Sequence, residues 1–432
     1  MTLQWPPPPL PSASATSRAS TTTLIVDMDE SSVLANPPPY HVPDPAESNT
    51  IIILDRFIAR ACRTGASSAS FDLAHARDRA ADIADAVSLA ANAPLVDTAA
   101  VLRRVDEVEQ QREQLRHLLI APGITQRTPE WYAARGQLIT ASDAAQAMGC
   151  AKFGTQRQFF AKKCGYEQEA FNPNVPPLKW GTMYEAVATE AYSLRTAGAT
   201  VHEFGLLRHP RIAFFGASPD GINDLGVMVE IKCPYRRKIS GEIPWQYYCQ
   251  IQGQLDVCSL IACDYVECEI AEYHGWDDFE MSSSECGRLS SEGGEHGFVM
   301  EFPARTPDGA STYKYSRQRC TAGELRAEWD ALLSAHPEDS ASARIHLYRI
   351  TKMSVLRVER DPSFVRDMID ALGRVWERVG VYRRDMALYD DEVRKASVAR
   401  KPRATATLAA SGAENAVPSL TGKYAFLEDD DD

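Results

Sequence analysis

Residues 216–235 read GASPDGINDLGVMVEIKCPY, and three side chains in this stretch have the types and spacing to act on a phosphate ester. Asp220 sits in a Ser-Pro-Asp-Gly turn, and Glu230 and Lys232 stand two apart in the apolar run that follows. In a strand, side chains alternate between faces, so Glu230 and Lys232 share one face while Val229, Ile231 and Cys233 take the other. The turn folds the preceding strand back beside this one, which brings Asp220 next to Glu230. Two carboxylates and the main-chain carbonyl of Ile231 make an oxygen-only donor set suited to Mg2+ or Mn2+. An ammonium on the same face can orient a water near such a cation and offset the charge that builds on a phosphodiester under attack. Taken alone, a Pro-Asp-Gly turn before a Glu-x-Lys strand face is also ordinary hairpin chemistry.

Three further stretches carry polar groups with a possible part in the same chemistry. In WGTMYEAVATEAY, Glu185 and Tyr192 share one helix face, and Glu185 can project a further carboxylate toward the strands; Glu190 reads as a solvated helix glutamate. In RGQLITASDAAQAMG, Arg135 ends one helix and Ser142 begins the next, where free N–H groups and the positive end of the helix favour an anion such as a terminal phosphate. The same two residues also read as a surface arginine and an N-cap serine. In IPWQYYCQIQGQLDVC, Tyr247, Gln250 and Gln254 share one face of a helix, opposite Ile251, Leu255 and Cys258. Uncharged amides and a phenol can hydrogen-bond DNA phosphates or a water without adding charge, although an exposed glutamine face needs no function.

The elements that must position these groups follow from periodicity and composition. Residues 1–50 are rich in Pro, Ser and Thr with few large apolar side chains, and are expected to be disordered. Residues 51–122 repeat apolar side chains at three and four spacing, as an Ala-rich helical extension would. From 123 to 398 the pattern is of mixed helices and strands. Thr128 and Pro129 start a short helix, and an extended QLIT leads to a second one capped by Thr140 or Ser142. A long helix ends at Gly198, and short strands follow at VHEFGLLRHP, IAFFGASPDG and VMVEIKCPY. A helix from Pro244 to Cys258 leads to strands CDYVECEIAEYH, RIHLYRI and SVLRVERD, interrupted by an insertion at about 275–325 that reads as a loop. A helix from Pro362 closes this part. Residues 399–432, ending in Glu428 and four aspartates, read as a disordered acidic tail.

Composition allows either an enzyme or a binding module: 44% hydrophobic and 24% charged residues are ordinary for a globular chain. No apolar run approaches the roughly 20 residues of a membrane span, so no membrane partner is expected and the location expected is intracellular. Ten cysteines without a CxxC pair, Cys258, Cys263 and Cys268 among them, read as buried thiols. The net charge of −13 argues against a nucleic-acid protein, but residues 127–260 hold 14 Lys and Arg against 12 Asp and Glu, the only net-positive third.

In order and spacing, EWYAARGQLITASDAA, LKWGTMYEAVATEAY, ASPDGI, VEIKCPY and YYCQIQGQL resemble the lambda-exonuclease-like, or YqaJ viral recombinase, branch of the PD-(D/E)XK nucleases. The resemblance covers Arg127 to about Cys258. It implies an α/β (α+β) fold with a restriction-endonuclease-like core, a central mixed β-sheet flanked by helices. It also implies a 5′-to-3′ exonuclease on linear double-stranded DNA, acting in viral DNA recombination, repair or replication.

By the same resemblance, Asp220, Glu230 and the Ile231 carbonyl hold two Mg2+ or Mn2+ ions, with Glu185 in support, and Lys232, Glu185 and Gln250 are catalytic. Arg135, Ser142 and Ser218 bind the 5′ phosphate, and Tyr247 and Gln254 are possible DNA contacts. The implied partners are 5′-phosphorylated duplex DNA, a single-strand annealing protein and, in a ring trimer, copies of the chain itself. A viral source would put the protein in the cytoplasm or nucleus of a host cell. Two rivals stand beside this reading: a structure-specific endonuclease on the same core, and a DNA-binding recombination scaffold whose cleavage is weak or lost.

Overall fold

Polar caps set where the helices begin. The computed structural model describes residues 43–63, 71–91, 96–166, 172–285, 295–304 and 309–391. The N-terminal helices are α1 (Pro45–Cys62), α2 (Leu73–Asp78), α3 (Ala80–Ala91) and α4 (Thr98–Ile120). Asp44, Asp72 and Asp97 each accept a first-turn N–H at the start of α1, α2 and α4. The four helices bury Ile58, Val87, Val101, Val105 and Val108 in a core of their own, closed by Leu225 and Val227. The expected start of the helical extension at residue 51 is corrected: with Asp44 as cap and Pro45 in the first turn, the helix starts six residues earlier. Residues 1–42 lie outside the described residues.

Next come α5 (Pro129–Gly136), β1 (Ile139–Thr140), a 3-10 turn at Ala141–Asp143, α6 (Ala144–Ala147), α7 (Gln156–Cys164) and α8 (Pro176–Arg195). They lead to β2 (Val201–His202), β3 (Leu207–Arg208), β4 (Phe215–Ala217), β5 (Gly221–Asn223), β6 (Met228–Lys232), α9 (Trp245–Cys258) and β7 (Ala262–Glu272). The last elements are α10 (Trp276–Glu285), β8 (His296–Phe302), β9 (Thr312–Tyr315), α11 (Ala322–Ala335), β10 (Arg344–Glu359) and α12 (Pro362–Arg384).

Seven strands form one mixed sheet in the order β2-β5-β6-β7-β10-β8-β9, and β1, β4 and β3 form a small second sheet. In the large sheet only β6 and β7 run parallel. A parallel pair needs a crossover, and α9 supplies it. Its Tyr248, Ile251 and Leu255 pack with Phe364, Met368, Leu372 and Val375 of α12. This is the α/β architecture with a central mixed sheet that the sequence leads one to expect.

Two expectations are corrected. RIHLYRI and SVLRVERD form the single strand β10, whose register against β7 shifts between Ile350 and Lys352 where Thr351 bulges out. The 275–325 insertion carries α10, β8 and β9, because Phe279, Phe298, Met300 and Phe302 bury together with Leu325 and Leu347. Its polar composition hides these few aromatic anchors. The acidic tail, 399–432, falls outside the described residues.

A buried ion network fastens the N-terminal helices to the sheet. Arg104 of α4 grips both oxygens of Asp55 on α1 at 2.7 and 2.9 Å. Arg357 of β10 spans from Asp55 to Asp264 of β7, at 2.7 Å to each. Asp264 in turn accepts from the Tyr192 hydroxyl at 2.6 Å. No helix among the described residues is long and apolar enough to cross a membrane.

Candidate active site

The β5–β6 hairpin pairs Gly221 with Val229 and Ile222 with Met228. Continuing that antiparallel register sets Asp220 opposite Glu230. The Ile231 N–H donates to Asp220 Oδ2 at 2.8 Å, which fixes the carboxylate against the neighbouring strand. Glu230 is fully buried and its carboxylate is held by three donors. Lys232 and Gln250 (2.6 Å) share Oε1, and Gln254 donates to Oε2 at 2.8 Å. With two lone pairs on each oxygen, Oε2 keeps one free.

Charge is left uncompensated here. Burial, and then the neighbouring charge of Glu230, push the Asp220 carboxyl well above the usual carboxylate range, against the opposing pull of Lys232. Burial alone would lower Lys232, but Glu230 and Asp220 outweigh it and hold the ammonium charged far above its ordinary value. Two acids thus share one lysine, and glutamine amides complete the donor set without adding charge.

The residues present fit a divalent cation. The donors are carboxylate and carbonyl oxygens, the two acids when both ionised carry more negative charge than Lys232 neutralises, and the buried Gln254 Oε1 has no hydrogen-bond partner. Among the described residues, no three His, Cys, Asp or Glu side chains form a cage by themselves, so a cation would draw on Asp220, Glu230, the Ile231 carbonyl and water.

Glu185 reaches the site from α8. Its negative charge acts on Asp220, while its own carboxylate pairs with Arg127 at 3.0 Å. Arg127, which sequence reasoning passed over, stands in a left-handed backbone conformation at φ 64°. Tyr192, one helix face with Glu185 by periodicity, belongs instead to the buried network with Asp264.

The phosphate-binding candidates converge on a second cluster. Arg135 donates to Ser142 Oγ at 3.1 Å and lies over the Trp131 ring at 4.3 Å, and the indole N–H of Trp131 donates to Ser218 Oγ at 3.1 Å. Trp131 therefore joins Arg135 and Ser142 to Ser218, two residues from Asp220. No local pattern singles out this bridge, because it depends on the segment after β4 meeting the helix before its sheet neighbour β1. Behind it, the buried Lys163 donates at 2.8 Å to Asp143 and to the carbonyls of Arg135 and Leu138. A capping box between Thr140 and Asp143 shapes the turn that presents Ser142. Gly253 of α9 lies so close that an added Cβ would stand 2.9 Å from Phe215 and 3.1 Å from Ala141, so only glycine lets α9 pack on this turn.

One assignment on α9 changes. Gln254 is buried and donates to Glu230, so it does not face solvent as a DNA contact would. Tyr247 keeps its ring 4.9 Å from the Lys232 ammonium, walling the lysine in.

Residues 130–260 match the model of the YqaJ-like viral recombinase domain, the family that the sequence motifs resemble. The chain is 25% identical over 301 residues to an uncharacterized protein of Acanthamoeba polyphaga mimivirus, covering 61% of this chain and 54% of that protein. It is 28% identical over 174 residues to a protein of African swine fever virus, covering 33% and 49%. The chain thus spans about half the length of the curated relatives it matches. Among solved structures, an alkaline exonuclease from Laribacter hongkongensis aligns at a TM-score of 0.36 and 21% identity, covering 63% of this chain and 100% of that one.

Proposed function

We propose that this chain is a metal-dependent deoxyribonuclease that removes nucleotides 5′ to 3′ from 5′-phosphorylated ends of linear duplex DNA in viral DNA recombination, repair or replication. The observation that carries the reading is the convergence of Asp220, Glu230 and Lys232 in one buried, net-negative site. Such an arrangement costs stability unless a cation occupies it.

Asp220, Glu230 and the Ile231 carbonyl would hold Mg2+ or Mn2+, and Glu185 would support it. When bound, the ions would make a water nucleophilic and neutralise charge on the scissile phosphate. Gln250 and Gln254 hold the Glu230 carboxylate in one orientation. Lys232, kept charged by its two acidic neighbours, offsets negative charge that grows on the phosphate during attack. Arg135, Ser142 and Ser218, aligned through Trp131, receive the terminal 5′ phosphate and so fix which bond lies over the carboxylates.

The test is release of nucleotides from 5′-phosphorylated linear duplex in Mg2+, with closed circular DNA as the control. The parent is expected to degrade the linear duplex and leave the circle intact, and Lys232→Ala and Glu230→Ala to be slowed at least about a hundredfold. Cleavage of the circle would turn the reading to an endonuclease. Variants as fast as the parent would remove these residues from the chemistry.

A further inference from the structure

Beyond the terminal-phosphate cluster lies a run of exposed cations to which neither the carboxylate chemistry nor that cluster assigns a role. Helix α7 carries Arg157, Lys162 and Lys163 and no acid. Lys163 is consumed by Asp143, but Lys162 is exposed and makes no ion pair among the described residues. Lys163, next to Lys162, donates to the carbonyl of Arg135 at 2.8 Å, which sets the end of α7 beside the end of the helix that bears Arg135.

Arg383, at the end of α12, closes the same surface. It donates to the carbonyl of Gly136, the residue after Arg135, at 2.8 Å, and to the carbonyl of Lys163 at 2.8 and 3.0 Å. These bonds cap the C-terminal ends of α5 and α7, a structural role that uses Nε and Nη2. The Nη1 hydrogens are not used in them, and the side chain is exposed over the Trp376 ring at 5.1 Å. Arg384 follows, exposed and without an acidic partner among the described residues. The nearest acid in sequence, Asp385, turns to accept the N–H of Leu388 at 3.1 Å. Within a chain of net charge −13 these cations stand near the Arg135–Ser142 cluster without acidic partners among the described residues, and a phosphate backbone is the polyanion that such a group would neutralise.

We propose that Lys162, Arg383 and Arg384 extend the Arg135–Ser142 cluster into a track that holds the phosphate backbone of the DNA duplex leading to the site. The proposal rests on the reading of the chain as a DNA enzyme, but it concerns binding and is tested without cleavage. Contacts of this kind recognise no sequence; they set affinity, its salt dependence and how long the protein stays on an end.

The experiment is fluorescence anisotropy of a 5′-phosphorylated 30-base-pair duplex with the full chain in EDTA, across a series of KCl concentrations. Lys162→Gln and Arg384→Gln are each expected to make the slope of log K against log salt shallower by about one, and the double variant by about two. Arg383→Lys, which keeps the charge, is expected to retain the parent slope. Arg103→Gln, an exposed cation on α4, is expected to leave the slope unchanged. A double variant with the parent slope, or a parent that does not bind duplex, overturns the track. The two readings fail separately: a parent that cleaves linear DNA beside an unaltered slope leaves the nuclease and removes the track, whereas an altered slope in a protein without cleavage does the reverse.

Discussion

Two buried acidic clusters lie on neighbouring strands of the same sheet, and they are compensated in opposite ways. In β6 and β7, Val229 pairs with Asp264 and Glu230 with Tyr265. The cluster around Asp264 sets two carboxylates, Asp55 and Asp264, against two guanidinium groups, Arg104 and Arg357. Burial opposes the charge of Asp55, but the arginines outweigh it and hold the carboxyl below its usual range. The cluster around Glu230 has one ammonium for two acids, and its remaining donors are neutral amides. There the Asp220 carboxyl moves the other way. The first arrangement is what a fold needs to tie a helical extension to a sheet. The second leaves a pair of acids with one cation between them, which is the basis of the proposed cation site.

The difference can be broken from the structural side first. Arg357→Ala would leave Asp55 and Asp264 buried without their shared partner, and is expected to lower unfolding free energy by about 3–5 kcal/mol in urea melts. A loss below about 1 kcal/mol would mean that the N-terminal helices are held by apolar packing alone.

At the other cluster the sign reverses. Asp220→Asn keeps an oxygen to accept the Ile231 N–H and removes the repulsion with Glu230. In EDTA it is expected to stabilise the chain by about 1 kcal/mol. Destabilisation would show that the two acids are already balanced.

The junction of β7, β10 and β8 offers an intermediate case, in which the compensating cation is itself titratable. His346 bridges Glu272 at 3.1 Å and Glu301 at 2.9 Å. Burial would lower its pKa, but the two carboxylates raise it to about 9, while Glu301 is held down to about 2 by His346 and Lys179 against its own burial. A histidine raised in the folded state gives stability that is complete below its unfolded value and is lost as pH rises through the folded one. Unfolding free energy should therefore fall by about 1–2 kcal/mol between pH 6.5 and pH 9.5, after allowance for solvent screening, and His346→Gln should flatten that slope. An unchanged slope in the variant would assign the loss to other groups.

How much of this was legible in the sequence depends on the range of the contact. Glu230 and Lys232 share a face by simple alternation, and the Ser-Pro-Asp-Gly turn returns Asp220 beside them. Arg135 and Ser142 meet across one short strand, seven residues apart. These are local relations, and local pattern carries them. The helix face of Tyr247, Gln250 and Gln254 was also legible, but not its direction: periodicity groups residues without saying which group is buried. Gln254 proved to be inside because α9 crosses over the sheet that holds Glu230. Asp55 and Arg357 are 302 residues apart, and no spacing rule joins them. The insertion was misread because a few aromatic anchors, far apart in a Ser- and Glu-rich stretch, outweigh the composition around them.

The central proposal is that the Asp220 and Glu230 pair would hold a divalent cation, and Mg2+-dependent stability of the DNA-free chain tests it most directly. At Mg2+ a hundred times its dissociation constant, the parent is expected to gain about 2.7 kcal/mol against unfolding, and Asp220→Asn to gain nothing. Equal stabilisation of parent and variant, or none in the parent, would contradict the account.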